Sequence, residues 1–165
     1  MKTIINISTT LILLTSCGMY SFNGASISSE TKSVQIDYFS NSSSMGKASL
    51  SDDIVEGLKD KFSNETNLTI INSDGDLFFK GSITSYSVKP IAIQADETAA
   101  KNRLTISVKV CFENKLDLDN NYDQSFSRYA DYYSTTELSS IEDELVNQII
   151  AELIDDIFNK AVANW

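Results

Sequence analysis

Basic side chains concentrate in one part of a sequence that is otherwise acidic. Residues 80–115 contain six basic and three acidic residues, although the whole chain of 165 residues has a formal net charge of −10. Lysine and arginine side chains that strand pairing brings together can hold phosphate groups. The alternative is an ordinary set of solvated cations on the exterior of strands. The candidate anion-binding residues are Lys80, Lys89, Lys101, Arg103 and Lys109.

The composition excludes much of the chemistry that depends on imidazole or on clustered thiols. The chain has no histidine, so a Ser-His-Asp triad, a Cys-His pair and a histidine-ligated zinc site are all excluded. Two cysteines, Cys17 and Cys111, are too few for a four-cysteine metal site. The acidic balance also argues against a nucleic-acid ligand, which needs a basic surface. We therefore predict no catalytic residues, no metal and no cofactor.

Four oxygen-bearing residues at alternate positions resemble part of a calcium-binding loop. An EF-hand needs Gly for its sharp turn, where this chain has Tyr122, and a bidentate Glu at the position of Arg128. We therefore interpret the segment as a solvated acidic loop. The four residues are Asp117, Asp119, Asn121 and Asp123.

The first residues have the pattern of a bacterial lipoprotein signal. Lys2 precedes an apolar stretch over residues 4–14, which is shorter than the roughly 20 residues that a membrane span needs. The sequence LTSC at residues 14–17 then resembles a lipobox, whose cysteine is lipidated after cleavage. The alternative is an ordinary secretory signal with a cysteine nearby by chance. We predict a signal peptide over residues 1–16, and a lipidated Cys17 with a tether over residues 17–32.

Hydrophobic periodicity predicts strand, helix, several strands and a final helix over residues 33–165. Val34, Ile36 and Tyr38 share the apolar face of the first strand, which covers residues 33–40. Further strands are predicted at residues 68–72, 77–89, 103–113 and 122–132, and helices from Ser49 to about residue 64 and from about 137 to 164. The strand at 103–113 has the strictest alternation. Its apolar residues are Leu104, Ile106, Val108, Val110 and Phe112.

Three element boundaries carry local signals. Ser49 with Asp52 three residues later resembles the capping box that starts a helix. Residues 73–76 are typical of a tight turn, in which Gly75 can take a positive φ. Pro90 cannot donate to a sheet ladder, and is therefore expected to close the strand before it.

These elements predict an α+β fold. Two amphipathic helices can pack on one face of a four- or five-stranded mixed sheet, which gives a two-layer sandwich. A single domain over residues 33–165 suits the length of the chain. The opposite face of the sheet then carries Thr, Ser, Lys and Cys side chains. We expect that face to contact either water or a polar partner surface.

Several segments together resemble the Bacteroidetes-type LptE proteins, which are lipopolysaccharide-assembly lipoproteins. The resemblance extends over nearly the whole chain that follows the signal peptide, and the C-terminal segment is its most specific part. The segments are CGMYSFNGASI (17–27), GDL (75–77) through Gly81 and Tyr86, NRLTI (102–106), SFS (125–127) and DIFNKAVANW (156–165).

The resemblance implies a protein that plugs the β-barrel LptD in the outer membrane, binds lipopolysaccharide and assists its delivery to the outer leaflet. It also implies two helices on a small mixed sheet, with the polar face of the sheet inside the barrel lumen. The absence of an acidic run just after Cys17 favours an anchor on the periplasmic side. The alternative is a lipoprotein that binds a ligand or scaffolds an envelope complex without a barrel partner.

Overall fold

The computed structural model describes residues 27–91 and 100–162. Cys17, most of the tether and the last three residues lie outside the described residues. The described elements follow the predicted order of strand, helix, several strands and helix, with one short 3-10 turn before the last strand. They are β1 (Ser33–Asn41), α1 (Leu50–Glu65), β2 (Thr69–Ile71), β3 (Leu77–Ile91), β4 (Lys101–Asn114), the 3-10 turn Leu118–Asn120, β5 (Tyr122–Tyr133) and α2 (Leu138–Val162).

The five strands form one mixed sheet in the order β2-β1-β3-β4-β5. β1 is parallel to both of its neighbours, and helix α1 makes the crossover from β1 to β2. The long strands β3, β4 and β5 are joined as antiparallel neighbours. Both helices pack on the same side of this sheet, which confirms the predicted two-layer α+β sandwich.

The core lies between the sheet and the two helices. The apolar row of β4 is buried along its whole length, as its strict alternation predicted. Helix α1 packs over β1 and buries apolar side chains along its whole length, and contact between α1, β3 and α2 is made by Phe62. Its ring centroid lies 5.3 Å from that of Phe79 on β3 and 4.9 Å from that of Phe158 on α2. Such tilted and edge-on ring pairs add to the apolar burial that holds the layers together.

One extra residue in β1 turns Tyr38 away from the core, so the prediction that it shares the face of Val34 and Ile36 is wrong. Ile36 is paired with Phe79 and Phe39 with Gly81, so three steps along β1 correspond to two along β3. This bulge reverses the alternation. Phe39 becomes fully buried, and Tyr38 remains 66% exposed on the opposite face.

Gly81 is the residue that accommodates the bulge. A Cβ at this position would lie 2.5 Å from the Lys109 carbonyl oxygen and 2.5 Å from Cε1 of Phe39. The ring of Phe39 therefore occupies the space that a side chain at residue 81 would need. A glycine in a strand interior often marks such a close approach.

The connection from β2 to β3 is a crossover past β1, because β1 lies between these two strands. The positive φ of this segment belongs to Asp74, at 63°, and not to Gly75 as predicted. Gly75 is required for another reason, since a Cβ there would lie 2.7 Å from the backbone nitrogen of Gln35. The loop thus passes directly over the backbone of β1.

Asp76 fastens this crossover to the start of β1. Its carboxylate accepts hydrogen bonds from the Lys32 amide (2.8 Å) and from the amide (3.0 Å) and hydroxyl (2.9 Å) of Ser33. These donors, the Lys32 amide first, hold the pKa of the Asp76 carboxyl below its ordinary value. The stabilisation is therefore present at neutral pH and is lost as the pH falls through that lowered pKa.

α1 begins directly after Ser49 as predicted, but the capping box is not formed, since the Ser49 side chain makes no capping hydrogen bond. The boundary prediction for Pro90 is wrong. Pro90 does not end β3, since it is paired with Asn102 of β4. The pairing of β1 with β3 stops at Asn41 and Ile83. Among the described strands, β3 therefore has a neighbour on one side only at Pro90, and such an edge position tolerates proline.

In the part of the chain that the structure describes, neither helix is both long enough and apolar enough to cross a membrane.

The bulge makes Gly81 a sensitive position. We expect Gly81→Ala to lower the free energy of unfolding by about 1–3 kcal/mol, because the new methyl group must displace Phe39 or the backbone of β4. Urea unfolding of the purified protein measures this change. Ser82→Ala is the matched control on the other face of the same strand, where a change within about 0.5 kcal/mol is expected. Equal stability of Gly81→Ala and the wild type would contradict the packing described here.

Candidate functional site

The face of the sheet that lies away from the helices, here called the outer face, carries all five predicted anion-binding residues. The side chains of β4 that alternate with its buried row project from this face, and those of β3 and β5 follow through the pairing register. Between the charged residues lie short hydroxyl side chains, and the Oγ atoms of Ser107 and Ser127 are 3.0 Å apart. The outer face is thus polar, as expected for the side of the sheet without helices.

The structure separates the five basic residues into two groups. Lys89 of β3 is directly opposite Arg103 of β4, and Lys101 precedes Arg103 by two residues on the same face of β4. We call these three residues the distal group, because they lie at the end of the sheet away from residue 77. Lys109 lies about 20 Å from Arg103, which is the length of six strand steps, and Lys80, which pairs with Cys111, lies about two steps further along the sheet. One compact cluster of five cations is therefore not formed.

Arg103 is held in place by two partners on β5. Its Nε and Nη2 atoms donate to the two carboxylate oxygens of Asp131 at 2.7 and 2.8 Å. Its guanidinium carbon lies 3.6 Å from the ring centroid of Tyr129. The hydrogen bonds from Arg103 lower the pKa of the Asp131 carboxyl, and the same bonds raise the pKa of Arg103. This bidentate pair, here called the fork, fixes the planar and permanently charged guanidinium group of Arg103 at the surface.

The distal group places the exposed Lys89 beside the ion pair of Arg103 and Asp131. Lys89 is exposed, and no carboxylate among residues 27–91 and 100–162 is within ion-pair distance of it. Lys101 lies close enough to help lower the pKa of Asp131. Tyr129 and Tyr133 are half exposed beside these cations. This end of the face can therefore accept an anionic group such as a phosphate, with tyrosine rings at its border.

The other two basic residues are neutralised by nearby carboxylates. Lys80 Nζ lies 3.6 Å from Glu113, and Lys109 Nζ lies 3.0 Å from Asp123. Cys111 is directly opposite Lys80 and half buried, with its sulfur 3.9 Å from a Glu113 oxygen. The electrostatics of this part of the face thus differ from those of the distal group.

The carboxylate and tyrosine partners were not identified from the sequence. In the sequence Asp123 appears only as part of the acidic loop, and the tyrosines at residues 129, 132 and 133 carry no signal that separates core from contact residues. In the structure Tyr132 is buried, and the other two are exposed. The register of β4 against β5 supplies the missing information, since it pairs Arg103 with Asp131 and Lys101 with Tyr133.

The acidic loop does not gather its oxygens around one point. The Asp117 carboxylate accepts a hydrogen bond from the side-chain amide of Asn120 at 2.6 Å, and Asp123 forms an ion pair with Lys109. Within the described ranges, no three residues of the types His, Cys, Asp and Glu come together in a way that could hold a metal ion.

Comparison with protein families identifies the chain. The family model described as "LptE: Lipopolysaccharide-assembly" matches residues 31–161. The chain belongs to the LptE family. The family resemblance found in the sequence is thereby confirmed. The LptE family consists of non-enzymatic lipoproteins of lipopolysaccharide assembly. The comparison with curated proteins gives no match.

Solved structures with the same fold include two lipoproteins. A minor lipoprotein from Acinetobacter baumannii is 12% identical, with a TM-score of 0.51 and 79% of this chain and 91% of that chain covered. Rare lipoprotein B from Shewanella oneidensis is 16% identical, with a TM-score of 0.50 and coverage of 76% and 91%. A neuraminyllactose-binding hemagglutinin homolog from Helicobacter pylori is 8% identical, with a TM-score of 0.55 and coverage of 86% and 89%. At these identities the similarity concerns the fold alone.

The fork between Arg103 and Asp131 gives a test of the distal group in this LptE-family protein. We expect Arg103→Gln to raise the pKa of the Asp131 carboxyl towards its ordinary value, because the charged donor that stabilises the carboxylate is lost. A carbon-detected NMR titration of the Asp131 carboxyl measures the shift. Arg128→Gln is the matched control, since Arg128 forms an equivalent fork with Asp156 of α2 and should leave Asp131 unchanged. An unaltered Asp131 titration in Arg103→Gln would show that the fork is absent in solution.

Proposed function

We propose that this LptE-family protein is an outer-membrane lipoprotein that plugs an LptD-type β-barrel and assists the insertion of lipopolysaccharide into the outer leaflet. Family membership supports the role in lipopolysaccharide assembly. The proposal adds two points to this role, namely the barrel partner and the location in the outer membrane. The sheet lies on the periplasmic side and inside the barrel lumen, held to the membrane by a lipid on Cys17.

The observation that carries the barrel proposal is the polar outer face of the sheet. Serine hydroxyls occupy its centre, and ion pairs from Arg103 to Asp131 and from Lys109 to Asp123 lie towards its two ends. The lumen of an outer-membrane barrel is polar, in contrast to its lipid-facing exterior. A face of short hydroxyl groups and paired charges can pack against such a wall by hydrogen bonds, and apolar partners would leave these groups unsatisfied.

The distal group supplies contacts for lipopolysaccharide. Lys89, Lys101 and Arg103 bring three cationic side chains together on a protein whose total charge is strongly negative. Lysine ammonium groups bind phosphates as mobile point charges, and the guanidinium group of Arg103, held by Asp131 and Tyr129, supplies a positive charge in a fixed position. Lys80 and Lys109 extend the contact surface along the same face.

The proposed anchor at Cys17 is within reach of the domain. Residues 18–26 separate it from Ile27, whose side chain packs against the core. The ten chain steps from Cys17 to Ile27 span about 35 Å at most when extended. Several acyl chains on one cysteine would bind a bilayer stably, since each buried methylene contributes about 0.8 kcal/mol.

Capture of the membrane partner tests the barrel proposal. A photo-crosslinking residue in place of Ser127, at the centre of the outer face, is expected to trap a large β-barrel protein as its main product in membranes. Depletion of the protein should leave that barrel misassembled and the outer leaflet short of lipopolysaccharide. Crosslinks to soluble envelope proteins alone, with normal barrel assembly after depletion, would instead favour a lipoprotein that binds a ligand or scaffolds a complex without a barrel.

Charge reversal tests the distal group. We expect Lys89→Glu combined with Lys101→Glu to weaken binding of purified lipopolysaccharide at least tenfold, because both changes place negative charge beside its phosphates. Lys59→Glu combined with Lys160→Glu is the matched control, since it gives the same net charge but alters only the helices. Binding to immobilised lipopolysaccharide is measured after circular dichroism has shown that both variants are folded. Equal losses in the two variants would assign the effect to net charge and reject the distal group as the site.

A further inference from the structure

A second feature of the outer face lies at the bulge in β1. β1, β3 and β4 border a shallow depression there with a volume of about 490 Å³. Its floor is formed by small residues, among them Ser40 and Ser82, and longer side chains stand around it. The depression is separate from the distal group, because Lys109 at its rim is about six strand steps, or 20 Å, from Arg103.

The bulge places an aromatic ring at the edge of this depression. Without the extra residue, Tyr38 would face the core beside Ile36, and Phe39 would face outward. With it, Tyr38 is 66% exposed and lines the depression, and Phe39 fills the space over Gly81. Bulges are frequent beside binding sites, where they redirect a side chain. The exposed ring offers a flat apolar platform next to polar groups.

The charges around the depression balance. Two ammonium groups, of Lys80 and Lys109, and two carboxylates, of Asp37 and Asp123, line it. A phosphate bound there would be repelled by the two carboxylates, and a cation would be repelled by the two ammonium groups. A neutral ligand with many hydroxyl groups avoids both conflicts, because each hydroxyl can donate to a carboxylate or accept from an ammonium group.

A sugar ring has the chemistry that this arrangement requires. Its hydroxyl groups lie around the edge of the ring, and one of its faces presents C–H groups that pack on an aromatic side chain. Hydrogen bonds from hydroxyls to carboxylates, and from ammonium groups to hydroxyls, are charge-assisted and therefore stronger than neutral ones. We propose that the depression binds a saccharide, with Tyr38 stacked on a sugar ring and with Asp37, Lys109 and Asp123 bonded to its hydroxyl groups.

This inference deepens the proposed function, on which the choice of glycan rests. Lipopolysaccharide carries sugars and phosphates in one molecule, so the depression would hold a sugar of the glycan while the distal group holds a phosphate. A free envelope oligosaccharide has the same sugar chemistry without the lipid. The two sources are separated by the probes of the experiment.

The experiment titrates the purified full chain by isothermal calorimetry with three probes. They are the core oligosaccharide released from lipopolysaccharide by mild acid, a neutral glucose oligosaccharide of similar size, and inorganic phosphate. Binding of the core oligosaccharide alone would assign the site to the glycan of lipopolysaccharide. Equal binding of both oligosaccharides would assign it to envelope saccharides in general. Binding of phosphate alone, or of no glycan at millimolar concentration, would overturn the proposal.

Variants locate the binding on the depression. Tyr38→Ala should weaken glycan binding at least tenfold, Tyr38→Phe should retain it, and Asp123→Asn should weaken it severalfold. Leu118→Ala is the control, because Leu118 is 71% exposed in the 3-10 turn, outside both the depression and the distal group. Undiminished binding by Tyr38→Ala, or an equal loss in Leu118→Ala, would overturn the site. Glycan binding is measured without a membrane, so its failure is distinct from a failure to capture a barrel.

Discussion

The burial of one row of β4 is the constraint on which the rest of this molecule depends. Five apolar residues alternate along this strand, and all of them lie under the helices with no more than a trace of exposure. A strand with period two places its other side chains on the opposite face. The same alternation that builds the core therefore also builds the outer face and orders its polar groups. Core and candidate site are two sides of a single strand, so the position of one determines the position of the other.

The hydrophobic pattern of one segment predicts only those features that the segment determines by itself, such as its type of secondary structure and its buried face. Both helices and the long strands are predictable because each buries one face, with a period of about 3.6 residues in a helix and of two in a strand. The fold class follows because two apolar helices can cover one side of the sheet. Tyr38 was assigned to the wrong face because a bulge is a relation between β1 and β3. Pro90 lies within β3 because β1 is too short to reach it. Gly75 and Gly81 are needed where one backbone or ring passes close to another. Such relations between elements have no signature within either segment.

The same reasoning explains why the candidate site was only partly predicted. The basic residues were visible in the sequence, since they interrupt an acidic composition. Their carboxylate partners come from β5, and only the register between β4 and β5 places Asp131 beside Arg103 and Asp123 close to Lys109. Strand pairing thus separates the five cations into the distal group and the pair Lys80 and Lys109, each of which has a carboxylate of its own. The chemical difference between the two ends of the face is thus a property of strand pairing.

The distribution of charge reconciles an acidic protein with an anionic glycolipid. Helix α1 carries five acidic and two basic residues, and α2 carries six acidic residues and one basic residue. Much of the negative charge therefore lies on the layer that the sheet separates from the outer face. Exposed charges further apart than about 8 Å are largely screened at physiological salt. A phosphate at the distal group would interact mainly with Lys89, Lys101 and Arg103, and a sugar near Tyr38 with a balanced set of charges. The net charge of the chain therefore does not determine which ligand its outer face can bind.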